Sequence, residues 1–172
     1  MRKLLFLAVL AVTATALVPV AAMAADPIDA VKADIAKLKA DVQTKHDTVT
    51  ADAAKLEADA KSLVGTSDKK VARATIKADA LKLTSDWKSL LAVCLADRAQ
   101  LRTDIAAARE GGGNKGELRL LVKQANLEIR AANLEMRAAV ARARAAVIAL
   151  RLSFKAAGQE PPSVPTPPDS TL

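Results

Sequence analysis

The chain has 172 residues and a formal net charge of +7, and it combines 51% hydrophobic residues with 2% aromatic residues, one histidine, one cysteine and no tyrosine. A single cysteine excludes an internal disulfide framework, and so few reactive side chains leave little for a metal site or a nucleophilic triad. We therefore predict a protein that is not an enzyme and that needs no cofactor and no metal. The modest positive charge favours anionic partners but mainly affects solubility.

Residues 1–24 have the features of an export signal. Arg2 and Lys3 give a positive start, an apolar run follows, and Ala-Met-Ala at 22–24 is a small-x-small cleavage site. Pro19 interrupts the run before it reaches the roughly 20 apolar residues that a membrane span requires. We predict cleavage and a periplasmic or secreted location, with an uncleaved membrane anchor as the alternative.

A helical bundle is predicted over residues 25–157, and its first half repeats one phrase, x-Ala-Asp-x-x-x-Leu-x-x-Asp. The four copies span 32–41, 50–59, 77–86 and 95–104. The second pair repeats the first at a constant offset, which indicates two similar helices. Aspartates seven residues apart lie about 10 Å apart along a helix, too far to share a metal ion. They are expected to form a solvated flank that pairs with lysines of the neighbouring helix.

The first helix is predicted over about 26–64. Asp26 is a favourable N-cap, Pro27 suits the first helical position, and Gly65 ends the helix. Apolar residues recur every seven positions between these ends, which predicts one buried face. His46 falls at the edge of this face and is expected at the boundary between core and surface.

The second helix is predicted over about 68–110, with Ser67 as its cap and three glycines at 111–113 as its end. The short connection at 65–67 predicts that the first two helices run antiparallel. Cys94 lies on the apolar face and is expected to be a buried, inert thiol. An intermolecular disulfide through Cys94 is the alternative.

The third helix is predicted over about 117–157, where apolar residues alternate steps of three and four in the pattern of a coiled-coil seam. Two near-identical heptads, 126–132 and 133–139, lie within it. The predicted inward residues are Leu118, Val122, Ala125, Ile129, Ala132, Met136, Ala139, Ala143, Val147, Leu150 and Phe154. Each helix of about 40 residues would be about 60 Å long. The predicted fold is therefore all-α: an elongated antiparallel three-helix bundle or coiled coil.

The residues 158–172 form a proline-rich C-terminal tail, which we predict to be disordered. Its prolines are Pro161, Pro162, Pro165, Pro167 and Pro168. Proline lacks an amide hydrogen and clashes with the preceding turn, so this composition is incompatible with a continuing helix.

The third helix carries a second apolar stripe away from its predicted seam. The stripe consists of Leu120, Leu127, Leu134, Ile148 and Leu152. A helix in a three-helix monomer needs only one apolar face, so we predict that this stripe binds a partner. The alternative is that the stripe belongs to a broad core face in a larger bundle. Homodimerisation would satisfy both interpretations.

A basic row borders this stripe, and it is predicted to bind anions. The row consists of Arg130, Arg137, Arg144 and Arg151. Basic side chains beside an apolar stripe are typical of helices that bind anionic polymers or lipid surfaces. Nucleic acid is a poor candidate, because export removes the usual partner and no aromatic residues alternate with the charges.

Three functions follow from these patterns. The first is an exported structural or interaction protein of the cell envelope that associates helix to helix, as a homo-oligomer or with a protein partner. The second is a binding module for an anionic polymer or membrane surface. The third, by analogy of shape alone, is a holdase-like periplasmic chaperone.

Overall fold

The structure, a computed structural model, describes residues 26–158. Its helices are α1 (Pro27–Ser62), α2 (Lys69–Glu110) and α3 (Lys115–Ala156). No strand occurs in this range, so the predicted all-α class is confirmed. None of the three helices is long and apolar enough to cross a bilayer. The predicted export signal and the predicted tail beyond Gly158 lie outside the described residues.

The first two helices begin at aspartates whose side chains accept hydrogen bonds from the first turn. Asp26 accepts from the backbone N of Ile28 at 2.9 Å, as expected for the predicted cap. At α2 the cap is Asp68 and not Ser67 as predicted, and Asp68 accepts from the backbone N of Val71 at 3.0 Å. A carboxylate also interacts favourably with the positive end of the helix dipole, which is the physical reason for the difference.

The third helix begins two residues earlier than predicted because Asn114 caps it. The side-chain oxygen of Asn114 accepts from the backbone N of Gly116 at 2.9 Å and of Glu117 at 3.3 Å. The helix therefore begins at Lys115. The turn before it uses Gly112 at φ 83°, a conformation that favours glycine.

The helix α1 lies at the centre of the fold and packs against both α2 and α3. Two apolar clusters follow its length, one containing Leu56 and Met136 and the other Leu38 and Ile129. The helices α2 and α3 make very few contacts with each other. The predicted antiparallel three-helix bundle is thus supported in part: three helices share α1 as a common partner, and a groove separates the other two.

The repeated phrase forms ion-pair clamps between α1 and α2. Lys55 Nζ lies 2.5 Å from Asp79 Oδ1 across the interface and 2.7 Å from Asp59 Oδ2 on its own helix. The same arrangement recurs at Lys82 with Asp52 and Asp86, and at Lys37 with Asp97 and Asp41. Residues 37, 52 and 55 of α1 pair with residues 97, 82 and 79 of α2, so these two helices are antiparallel.

The predicted pairing with lysines is confirmed in these three clamps, but the flank is not solvated as predicted. Asp52, Asp79 and Asp97 are each only 8% exposed. The alanines between α1 and α2 allow the helices to approach closely, and the lysine stems then cover the carboxylates.

The fourth clamp is incomplete because Gln100 stands where the other copies have lysine. Gln100 Nε2 donates to Asp104 at 3.2 Å, and Oδ2 of Asp34 is buried without a hydrogen-bond donor. Burial raises the pKa of Asp34, and the neighbouring Asp104 carboxylate raises it further. Two carboxylates therefore face each other here without the shared cation of the other clamps.

Candidate functional site

The outer face of α3 carries five large apolar side chains that no part of the described chain covers. The exposed fractions are 68% for Leu120, 57% for Leu127, 64% for Leu134, 54% for Ile148 and 60% for Leu152. These are the residues of the second stripe predicted from the sequence. Their exposure is as expected, and their role in binding a partner stays a prediction.

Exposed alanines complete this stripe into a second heptad seam, which we call the outer seam. It consists of Leu127, Ala131, Leu134, Ala138, Ala141, Ala145, Ile148 and Leu152, all of them exposed. Its steps alternate four and three, the spacing of a coiled-coil interface. The inner seam, from Leu118 to Phe154, is buried except at Val122 and Ala132, which are partly buried. The helix α3 therefore has two seams on opposite faces, and only the inner one is covered.

The predicted anion-binding row lies on one flank of the outer seam. Arg130 is exposed, whereas Arg137, Arg144 and Arg151 are half-buried. Each of these three already has an interaction within the chain. An anion at the row would therefore compete with existing interactions at three of its four arginines, and anion binding by the row stays a prediction.

Glutamates on the opposite flank connect α3 to α1. Glu117 lies 3.2 Å from Lys32, Glu128 pairs with Lys39, and Glu135 lies 2.8 Å from His46 Nε2. Residue numbers rise together along both helices, so α1 and α3 are parallel. His46 is partly buried, as its predicted boundary position implies. Hydrogen bonds to Asp47 and to Glu135 raise the pKa of His46.

Sequence reasoning missed Lys45, which lies in the groove between α2 and α3. Lys45 is only 2% exposed, and its Nζ lies 4.5 Å from the centre of the Trp87 ring. Its position in the apolar pattern of α1, three residues after Val42 and four before Val49, is the feature of the sequence that could have indicated its burial. A cation at such a position either reaches out of the core along its stem or needs a partner inside it.

Cys94 lines the same groove and is buried, as predicted. Burial raises the pKa of its thiol, which disfavours the reactive thiolate. The alternative of an intermolecular disulfide stays untested. Within residues 26–158, no three side chains among histidine, cysteine, aspartate and glutamate are arranged to hold a metal ion.

Comparisons with models of known families, with characterised proteins and with solved structures find no match to this chain. Its function must therefore be argued from its own surfaces. Two of them are unusual for a small helical protein: the uncovered outer seam of α3 and the groove that contains Lys45.

Proposed function

We propose that this protein is an exported structural or interaction protein of the cell envelope and that it acts by helix–helix association along the outer seam. The observation that supports this proposal most is the exposure of large apolar residues of this seam such as Leu134 and Leu152, at 64% and 60%. Burying apolar area contributes about 25 cal/mol per Å². An exposed seam contributes nothing to a monomer, but a partner helix that covers it would gain this free energy. In this proposal the chain is an elongated rod whose helices alternate in direction.

The partner that fits this seam is a second copy of the chain. Large apolar residues lie toward both ends of the seam, and Ala138, Ala141 and Ala145 lie between them. The large residues supply apolar area to bury, and the alanines allow two helices to approach closely. The same face on both copies would be self-complementary, as a two-fold symmetric dimer requires. The outer seam points away from α1, so the bulk of each copy lies on the far side of the interface.

The charged flanks of the seam favour a parallel arrangement of the two α3 helices. In a parallel coiled coil, a residue on one flank lies beside the residue five positions further along the opposite flank of the partner. Lys123 would then lie beside Glu128 of the second copy, and Arg130 beside Glu135. Both glutamates also bind α1, but a carboxylate has room for more than one donor.

One like-charged pair opposes this arrangement. Arg137 would lie beside Arg142 of the second copy, but the charge of Arg142 is partly offset by Glu57 at 3.7 Å. An antiparallel dimer would be worse, because the whole basic flank would then face itself. That flank consists of Lys123, Arg130, Arg137, Arg144 and Arg151. Like charges in such positions disfavour an arrangement.

Sedimentation equilibrium of the purified chain tests the association. We expect a dimer for the unchanged chain and a monomer for the double variant Leu127→Asp with Leu134→Asp, with helical circular dichroism retained in both. Leu81→Asp is a matched control, because Leu81 is an exposed leucine on α2, at 51%. A strict monomer at high protein concentration, or a dimer that survives the double variant, would refute the proposal.

Disulfide trapping tests the direction of the helices. In a Cys94→Ala background, Ala131→Cys should cross-link to its own counterpart, because identical seam positions face each other in a parallel dimer. In an antiparallel dimer, residue 131 would instead lie near the opposite end of the seam. Cross-linking between Ala131→Cys and Ile148→Cys chains, without cross-linking of Ala131→Cys alone, would contradict the parallel arrangement.

A further inference from the structure

The groove between α2 and α3 is long and has an apolar floor. One cavity of about 420 Å³ lies over Leu38, Val42 and Leu101. A second cavity, of about 550 Å³, shares Ile105 and Val122 with the first and extends toward the connection between the two helices. From residue 98 to residue 109 the groove runs about 17 Å at 1.5 Å per residue. This length and shape suit an extended acyl chain.

The charged side chains that line the groove are all cations. They are Lys45, Arg98, Arg102, Arg130 and Arg137 in the first cavity and Arg109, Lys115 and Arg119 in the second. No aspartate or glutamate among the described residues lines either cavity. On the interface between α1 and α2, in contrast, every clamp contains carboxylates. A surface with one sign of charge around an apolar floor is complementary to an anionic amphiphile.

Lys45 is the most unusual of these cations. It is 2% exposed, and within residues 26–158 no carboxylate forms an ion pair with it. Its ammonium contacts the face of Trp87, which offsets part of the cost of burial. Burial lowers the pKa of Lys45, and the nearby Arg98 and Arg137 lower it further. A buried amine without a counter-charge is unfavourable, and an anion placed beside it would remove that cost.

We infer that this groove binds a single-chain amphiphile with an anionic head group, a carboxylate or a phosphate monoester. The head group would lie between Lys45 and Arg98, and the chain would extend over the apolar floor toward Ile105 and Val122. The inference does not require association through the outer seam, because the groove lies on the side of α3 that faces α2 and no outer-seam residue lines it. The two surfaces share only the flanking Arg130 and Arg137.

Isothermal titration with three probes tests the ligand chemistry. Dodecanoate, kept below its micelle concentration, should bind with one molecule per chain. Dodecyl maltoside has the same chain and no charge, and inorganic phosphate has the charge and no chain; neither should bind comparably. Trp87 is the only tryptophan in the chain, so its fluorescence should change with dodecanoate and report the position of the head group. Equal affinity for dodecyl maltoside or for phosphate alone would overturn the inference.

Two variants locate the site. Lys45→Met keeps the length of the side chain and removes its charge, and Arg98→Gln removes a charge at the rim; each should weaken dodecanoate binding by about tenfold or more. Arg73→Gln is the matched control, because Arg73 is exposed on α2 and lines neither cavity.

The site is refuted if Arg98→Gln leaves dodecanoate binding unchanged or if Arg73→Gln weakens it equally. These two results decide the question even if Lys45→Met lowers the stability of the fold. The double variant Leu127→Asp with Leu134→Asp should still bind dodecanoate. Loss of self-association and loss of ligand binding are therefore separate results, and either proposal can fail alone.

Discussion

Replacing Gln100 with lysine should complete the fourth clamp between α1 and α2. In the three complete clamps a lysine three residues after the first aspartate bridges carboxylates of both helices, as Lys55 does at 2.5 Å and 2.7 Å. Gln100 occupies the same position in the last copy of the repeat. A lysine there would place a cation between Asp34 and Asp104, where two carboxylates now face each other.

The size of the effect follows from the exposure of this site. An exposed ion pair contributes about 0.2–1 kcal/mol, whereas a hydrogen bond from a charged group contributes about 1.5–3 kcal/mol. Asp34 is partly buried, and its Oδ2 has no donor, so the site lies between these cases. We expect Gln100→Lys to raise the free energy of unfolding by about 1 kcal/mol, which corresponds to a rise in Tm of roughly 4 °C for a chain of this size.

The gain should depend on pH in a defined direction. The pKa of Asp34 is raised in the folded chain, so the unchanged protein loses stability as the pH rises from 3.8 through the raised value. A lysine at Gln100 would stabilise the ionised form of Asp34. The difference between Gln100→Lys and the unchanged chain should therefore be largest near neutral pH and disappear in acid, where Asp34 is protonated.

Urea unfolding followed by circular dichroism measures this difference. Gln100→Glu is the matched control, because glutamate has the shape of glutamine and adds a third carboxylate; it should lower the unfolding midpoint at neutral pH. The reasoning is wrong if Gln100→Lys leaves the midpoint unchanged, or if both substitutions shift it in the same direction.

Two further predictions concern other contacts of the fold. Hydrogen bonds to Asp47 and Glu135 raise the pKa of His46, so the stability that they add is fully present below pH 6.5 and is lost as the pH rises through the raised value. The urea midpoint should fall as the pH rises across this range, and it should fall less in Glu135→Gln than in the unchanged chain. An equal fall in both chains would contradict the ion pair. A Cβ at Gly113 would lie 2.7 Å from a backbone oxygen, so Gly113→Ala should lower the free energy of unfolding by about 1–3 kcal/mol. Gly116→Ala is its control, since that Cβ would meet only a side-chain atom at 3.2 Å and alanine favours the helix; equal losses in the two variants would refute the steric argument.

The sequence was sufficient to predict the helices and the faces of α3. Capping residues such as Asp26 act within one turn, and a heptad pattern defines the angular position of each residue around its own helix. Both signals are local, so the uncovered stripe that includes Leu120 and Leu134 was predictable without tertiary information. The repeat also predicted the lysine partners of the aspartates, because helices with the same spacing present their charges at the same intervals.

Only the tertiary structure decided what surrounds each face. Asp52 was predicted to be solvated and is buried. The heptad pattern of α1 did not predict that Lys45 is buried against Trp87. The sequence also did not predict that α2 and α3 make very few contacts, which leaves the groove between them. Periodicity gives the direction of a side chain from its helix axis, but the distance to the next helix depends on the side-chain volumes of every helix in the bundle. Burial and the presence of a groove follow from that distance, and neither is encoded in a single helical repeat.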